Sequence, residues 1–124
     1  MKNNIKFTMS HFNLLKKRDK EAINSLIKIE SDKISLLRVV GNSYIPNFIY
    51  DGDILVIDKD ASLFDGAKVF ARINGKECIK IYRTIGNFGY LQTALDYVLP
   101  EKIGDLEYEI VGVIKQVIHI FNKN

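Results

Sequence analysis

Residues 67–83 read AKVFARINGKECIKIYR, two strand-like runs joined by Asn74-Gly75. Asn-Gly between two such runs favours a two-residue type I′ turn, whose twist matches that of the flanking strands. This is the tightest local constraint in the chain, because turn length sets the pairing register. Pairing outward from the turn puts Ile73 opposite Lys76, Arg72 opposite Glu77, Ala71 opposite Cys78, Phe70 opposite Ile79 and Val69 opposite Lys80. One face of the hairpin then carries the Arg72–Glu77 charge pair. The other carries Val69, Ala71, Ile73, Cys78 and Tyr82 around a single ammonium, that of Lys80.

Other short runs of the same kind follow Leu36: LLRVV, DILVID, GYLQ, LEYEIVGV and KQVIHIF, rich in Val, Ile, Leu and Tyr and mostly bounded by Gly, Asn or Asp. Before them, SHFNLLKKRDKEAINSLIKI from Ser10 to Ile29 places Phe12, Leu15, Ala22, Ile23, Leu26 and Ile27 near one side of a helix, with Lys16, Lys17, Arg18, Lys20 and Glu21 elsewhere. The expected fold is therefore mostly β with one N-terminal amphipathic helix. It divides into a helical segment, residues 1–35, and a β domain, residues 36–124. The 124 residues, 47% apolar and 27% charged, suit one compact domain that folds alone. The helix has three readings: a lid on a sheet face, a partner-binding element, or the remnant of a linker.

Several function classes are disfavoured. The net charge of +3 is uneven, since residues 1–38 hold nine Lys/Arg against four Asp/Glu and residues 39–124 hold nine against eleven. No clustered Arg stripe or DNA-reading motif accompanies the basic end, so a solvated helix face explains it better than nucleic-acid binding. No apolar run approaches the roughly 20 residues that cross a bilayer, and the start MKNNIKFTMSHFN lacks the apolar stretch of a signal peptide, which predicts a cytoplasmic protein without a membrane partner. Cys78, the one cysteine, rules out an internal disulfide. With only His11 and His119 beside it, no zinc spacing exists, and neither a metal nor a cofactor is expected.

The chemistry-bearing stretch is GNSYIP at 41–46, followed by DGDILVID at 51–58. Ser43 reads either as an ordinary turn hydroxyl or as a nucleophile, and Lys80 either as a lysine that extends its head to water or as a base. An apolar sheet face penalises the ammonium relative to the amine, and serine paired with lysine is one recognised alternative to Ser-His-Asp. Neither His11, in the basic helix, nor His119, in the last strand pattern, has a context tying it to the turn.

Taken together, VVGNSYIPNFIYDGDILVIDK, DGAKVFARINGKECIKIYR and EYEIVGVIKQVIHIF resemble the S24 peptidases, the family of LexA-like, UmuD-like and phage-repressor C-terminal domains, over about residues 36–121. Ser43 and Lys80 are 37 positions apart, the spacing of that family's pair. The resemblance implies a LexA- or signal-peptidase-like β domain in which Ser43 is the nucleophile and Lys80 the general base. It further implies an oxyanion hole from the backbone N–H groups of Asn42 and Ser43, and a substrate pocket at Tyr44. It implies a homodimer whose usual reaction is cleavage of its own chain, stimulated by a RecA-nucleoprotein filament in the SOS response, and contact with DNA only through a separate domain. The chain also departs from the family. It contains no Ala-Gly or Cys-Gly bond of the kind usually cut, has little room before residue 36 for a helix-turn-helix, carries Tyr44 where Met is favoured, and carries Ala94 where Asn is frequent, although Tyr97 keeps an aromatic. A non-catalytic dimerisation and regulatory module of the same fold is the alternative reading.

Overall fold

The computed structural model describes residues 11–26, 32–93, 99–105 and 107–119. Among them are strands β1 (Phe12–Leu14), β2 (Ile34–Val39), β3 (Ile54–Asp58), β4 (Lys68–Ile73), β5 (Lys76–Ile85), β6 (Phe88–Gln92), β7 (Glu101–Lys102) and β8 (Tyr108–Ile118), and one helix, α1 (Lys17–Leu26). The strands form one antiparallel sheet in the order β1-β2-β3-β8-β4-β5-β6-β7. The mostly β fold with a single helix is as expected.

The β4–β5 hairpin has the register anticipated at every pair from Ile73↔Lys76 to Val69↔Lys80. Asn74 and Gly75 both have positive φ, 51° and 81°, as a type I′ turn requires. The Arg72 guanidinium meets Glu77 at 3.4 Å and Glu109 of the neighbouring β8 at 2.6 Å. The runs LEYEIVGV and KQVIHIF, read separately in the sequence, form one strand as far as Ile118; Ile120 and Phe121 lie outside the described residues. β8 joins the two halves of the sheet, pairing β4 through its first half and β3 through its second. That bridging explains its length.

β3 is buried on both sides, so alternate residues serve different clusters. Leu55 and Ile57 join Phe12, Val39, Ile49, Phe70, Ile79 and Ile114. Ile54 and Val56 face Leu15 and Ile23 of the helical segment, together with Leu36. A third cluster, Ala67, Val69, Leu91 and Val113, lies under β6.

The helix starts later than its periodicity suggested. Phe12 begins a strand that adds to the edge of β2, pairing with Val39, and its ring enters the main core between Phe70 and Tyr44. Tertiary packing outweighs helical propensity there. The buried stripe is also narrower than expected: Leu15 and Ile23 are covered while Ala22 is exposed. Ser10 and Ile27 lie outside the described residues, as do Ala94 and Tyr97. α1 thus acts as a cover on the β2–β3 face, in line with the packing reading.

Gly112 is where β8 passes closest to β3. A Cβ there would stand 2.7 Å from the Asp58 carbonyl oxygen and 2.7 Å from Ile57 Cγ2. Gly112→Ala is predicted to destabilise the protein by about 2–3 kcal/mol, because backbone cannot yield as a flexible side chain can. Gly104→Ala, with nothing within 4 Å of its added methyl, is predicted to change little. Urea unfolding of the two variants checks this, and equal stability would contradict it.

Candidate functional site

The turn between β2 and β3 is held from below at several points and free only at its tip. Val40 N–H donates to the His11 carbonyl (2.8 Å). Gly41, at φ 90°, turns the chain outward, and its N–H donates to Asp51 Oδ1 (2.8 Å). Asn42 and Ser43 are exposed. Tyr44 turns back and packs on the main core, and a 3-10 turn, Ile45–Asn47, follows with Pro46 near its start. Its closing bonds run from Asn47 and Ile49 N–H to the Tyr44 carbonyl (2.9 and 3.2 Å). Lys68 Nζ donates to the Asn47 carbonyl (3.2 Å), and Ile49 is fully buried. The result is a rigid pedestal presenting residues 42 and 43.

The Asp51-Gly52-Asp53 stretch is a buttress for that pedestal. Gly52 N–H donates to the Val39 carbonyl and Val39 N–H to the Asp53 carbonyl, both at 2.8 Å. Asp53 is 1% exposed, and its carboxylate accepts from the Tyr50 N–H (2.8 Å) and from His119 Nδ1–H (2.5 Å). A carboxylate so enclosed needs such donors, since desolvating an uncompensated charge is costly. Both histidines therefore sit closer to the turn than the sequence suggested. His119 braces it through Asp53, and His11, which precedes β1 and is not in the helix, stands beside Gly41, where a Cβ would lie 3.9 Å from His11 Nδ1. The partner of Asp53 is 66 residues away, so no local signal could have revealed it.

Lys80 sits half-buried on β5, opposite Val69, whose side chain is fully buried. Among the described residues, neither its ammonium nor the Ser43 hydroxyl has a hydrogen-bond or ion-pair partner. What brings turn and strand together is Tyr44. Burial pushes its phenol up from the ordinary 10.0, backbone hydrogen bonding at Ile79 pulls it down, and the nearby Cys78 pushes it up. Tyr44 thus rests on β5 at the two residues that precede Lys80. Cys78 is in turn raised from 9.0 by burial and lowered by the Lys80 charge. The site is therefore a chain of neighbours, Ser43-Tyr44 on the turn and Cys78-Ile79-Lys80 on the strand. β6 pairs only with Ile81–Ile85, which leaves the edge of β5 beside Ile79 without a strand partner among the described residues. No group of three or more His, Cys, Asp or Glu converges as a metal site among those residues, and no helix there is long and apolar enough to cross a membrane.

Comparison with known proteins adds two findings. The family model described as Peptidase S24-like matches residues 2–115. The LexA repressor of Clostridioides difficile (strain 630) is 35% identical over 97 residues, covering 77% of this chain and 45% of that protein. The LexA repressor of Myxococcus xanthus (strain DK1622) is 28% identical over 95 residues, 77% and 43% respectively. The chain spans less than half the length of these curated relatives.

Two outcomes follow from the geometry. His119→Ala strips the buried Asp53 of one donor and is predicted to cost about 1–2 kcal/mol in urea unfolding, the usual loss for a partly exposed partner; a change within experimental error would contradict the brace. Cys78 and Tyr44 both hold their protons more tightly when folded than their ordinary values of 9.0 and 10.0. Each therefore adds stability that is fully present below its ordinary value and is lost as pH rises through the folded one. The melting temperature is predicted to fall above pH 9, with Cys78→Ala removing the earlier part of the fall and Tyr44→Phe the later. Curves parallel to wild type in both variants would contradict it.

Proposed function

The chain belongs to the Peptidase S24-like family, and on that premise we propose that it is a serine-lysine peptidase domain in which Ser43 is the nucleophile and Lys80 the general base. The supporting observation is Tyr44, which follows Ser43 directly and lodges on β5 beside Lys80. Ser43 Oγ attacks a peptide carbonyl carbon while the Lys80 amine takes the hydroxyl proton. The N–H groups of Asn42 and Ser43, on the exposed tip, receive the developing oxyanion. As the tetrahedral adduct collapses, the ammonium returns the proton to the leaving amine, and water, deprotonated by the same amine, releases the acyl group. Among the described residues the Lys80 ammonium has no carboxylate partner, which leaves it available for this exchange.

An extended peptide fits the open edge of β5 at Lys76–Lys80, where backbone pairing would draw the scissile carbonyl past the pedestal. Tyr44 forms the wall of the pocket nearest the cut. Matches to LexA repressors support a LexA-like regulatory role, and the reading extends it to the SOS response or transcription control, as a homodimer in the cytoplasm, triggered by a RecA-nucleoprotein filament and reaching DNA through a separate domain. Within that frame residues 1–35 are the helical segment and 36–124 the peptidase-like domain. A second reading starts from the observation that none of the eight glycines in residues 1–124 follows an Ala or a Cys. In it the chain keeps the fold as a non-catalytic dimerisation and regulatory module.

A fluorophosphonate probe separates the two. Wild type is predicted to label at one residue, Ser43→Ala not at all, and Lys80→Ala about 100-fold more slowly or worse, the usual contribution of a positioned base. Equal labelling of all three proteins would refute the dyad.

A further inference from the structure

β1 has three residues and one neighbouring strand, yet Phe12 is 5% exposed. Its ring stands edge-on to Phe70 (centroids 4.9 Å apart, 88° between planes) and tilted against Tyr44 (5.7 Å, 33°). One residue earlier, the His11 carbonyl accepts the Val40 N–H (2.8 Å). Residues 11 and 12 therefore grip the turn on both sides of Ser43, by main chain at Val40 and by a ring at Tyr44. We propose that Phe12 is a positioning residue for Ser43, and that docking of residues 11–16 against β2 sets the reactivity of the turn. The inference rests on the Ser43/Lys80 reading above.

The physical need is plain from exposure. Asn42 and Ser43 have no packing of their own, so their direction is inherited from Gly41 and Tyr44. A displacement of about 1 Å at a reacting group can cost about 100-fold in rate. A three-residue edge strand opens far more readily than the central strands. The helix supplies its anchor. Leu15 and Ile23 bind the β2–β3 face, and Asp19 pairs with Arg38 at 3.0 Å, while the same guanidinium donates to the Gly52 carbonyl of the buttress (3.2 Å). Whatever pulls α1 from Leu36, Ile54 and Val56 also withdraws Phe12 from Tyr44. β1 and α1 together form a clasp whose release loosens the nucleophile.

The test compares wild type, Phe12→Leu, Phe12→Ala and Leu91→Ala, the last an equally buried core truncation in the cluster under β6. Two readouts are taken on folded protein: the fluorophosphonate labelling rate, and the spectrophotometric titration of Tyr44, isolated by subtracting Tyr44→Phe in each background. Phe12→Ala is expected to label about tenfold or more slowly, Phe12→Leu to fall between, and Leu91→Ala to match wild type. Tyr44 is expected to titrate lower in Phe12→Ala, as its ring gains water, and not in Leu91→Ala. If Phe12→Ala labels like wild type, or Leu91→Ala slows as much, the proposal is overturned. Should even wild type fail to label, the dyad reading falls and takes the effect on reactivity with it, and the titration then decides only whether Phe12 holds the turn through Tyr44: a Tyr44 shift confined to the Phe12 variants upholds that hold, and its absence overturns it. Where Phe12→Ala does not fold, Phe12→Leu and Asp19→Asn, which weakens the helix anchor, carry the same comparison.

Discussion

Tyr44 has to satisfy two elements at once. Its ring belongs to the main core with Phe12 and Phe70, and its phenol end meets β5 at Cys78 and Ile79. Chain connectivity then keeps Ser43 one residue from that contact. A smaller or more mobile residue at this position would leave the serine on an arm without a rest. The exposed tip of the turn, Asn42 and Ser43, is held on its C-terminal side by that one docked aromatic.

Around this contact the protein spends its polar groups on shape. Asp51, Asp53, Lys68, Arg38 and His119 each hold a backbone group or a partner that holds one. The buried Asp53 lies in the loop that follows the pedestal, and it is compensated by a backbone N–H on one oxygen and an imidazole on the other. Such a network rigidifies only when complete, because a half-satisfied carboxylate in that setting costs more than none. Lys80 has no such bond among the described residues, and its part is the one proposed above.

The hairpin was legible because its information is local: Asn74-Gly75 dictates the turn, and the alternation dictates the faces. The pairing of Ser43 with Lys80 is read from a spacing that matches a known pattern and stands as a proposal, while the part of Tyr44, packed on the core and against β5, is advertised by no neighbouring residue. What could not be read was long-range. Phe12 lies in a stretch whose spacing suits a helix, and the edge of β2 together with the packing of its ring on Phe70 and Tyr44 make it a strand. His119 reads as a generic strand-end residue until β8 carries it to Asp53. The Asp-Gly-Asp motif was recognisable as a pattern, yet its physical office, tying Gly41 and Tyr50 in place, needs coordinates to see.

The central claim is that Ser43 and Lys80 share a proton across the gap that Tyr44 closes. A crystal structure of the fluorophosphonate adduct tests it most directly. The account predicts density continuous with Ser43 Oγ, the phosphonyl oxygen facing the Asn42 and Ser43 amides, and Lys80 Nζ within about 3 Å of Oγ, the reach of a working base. An adduct at another residue, or a Lys80 turned to solvent beside a modified Ser43, would contradict it.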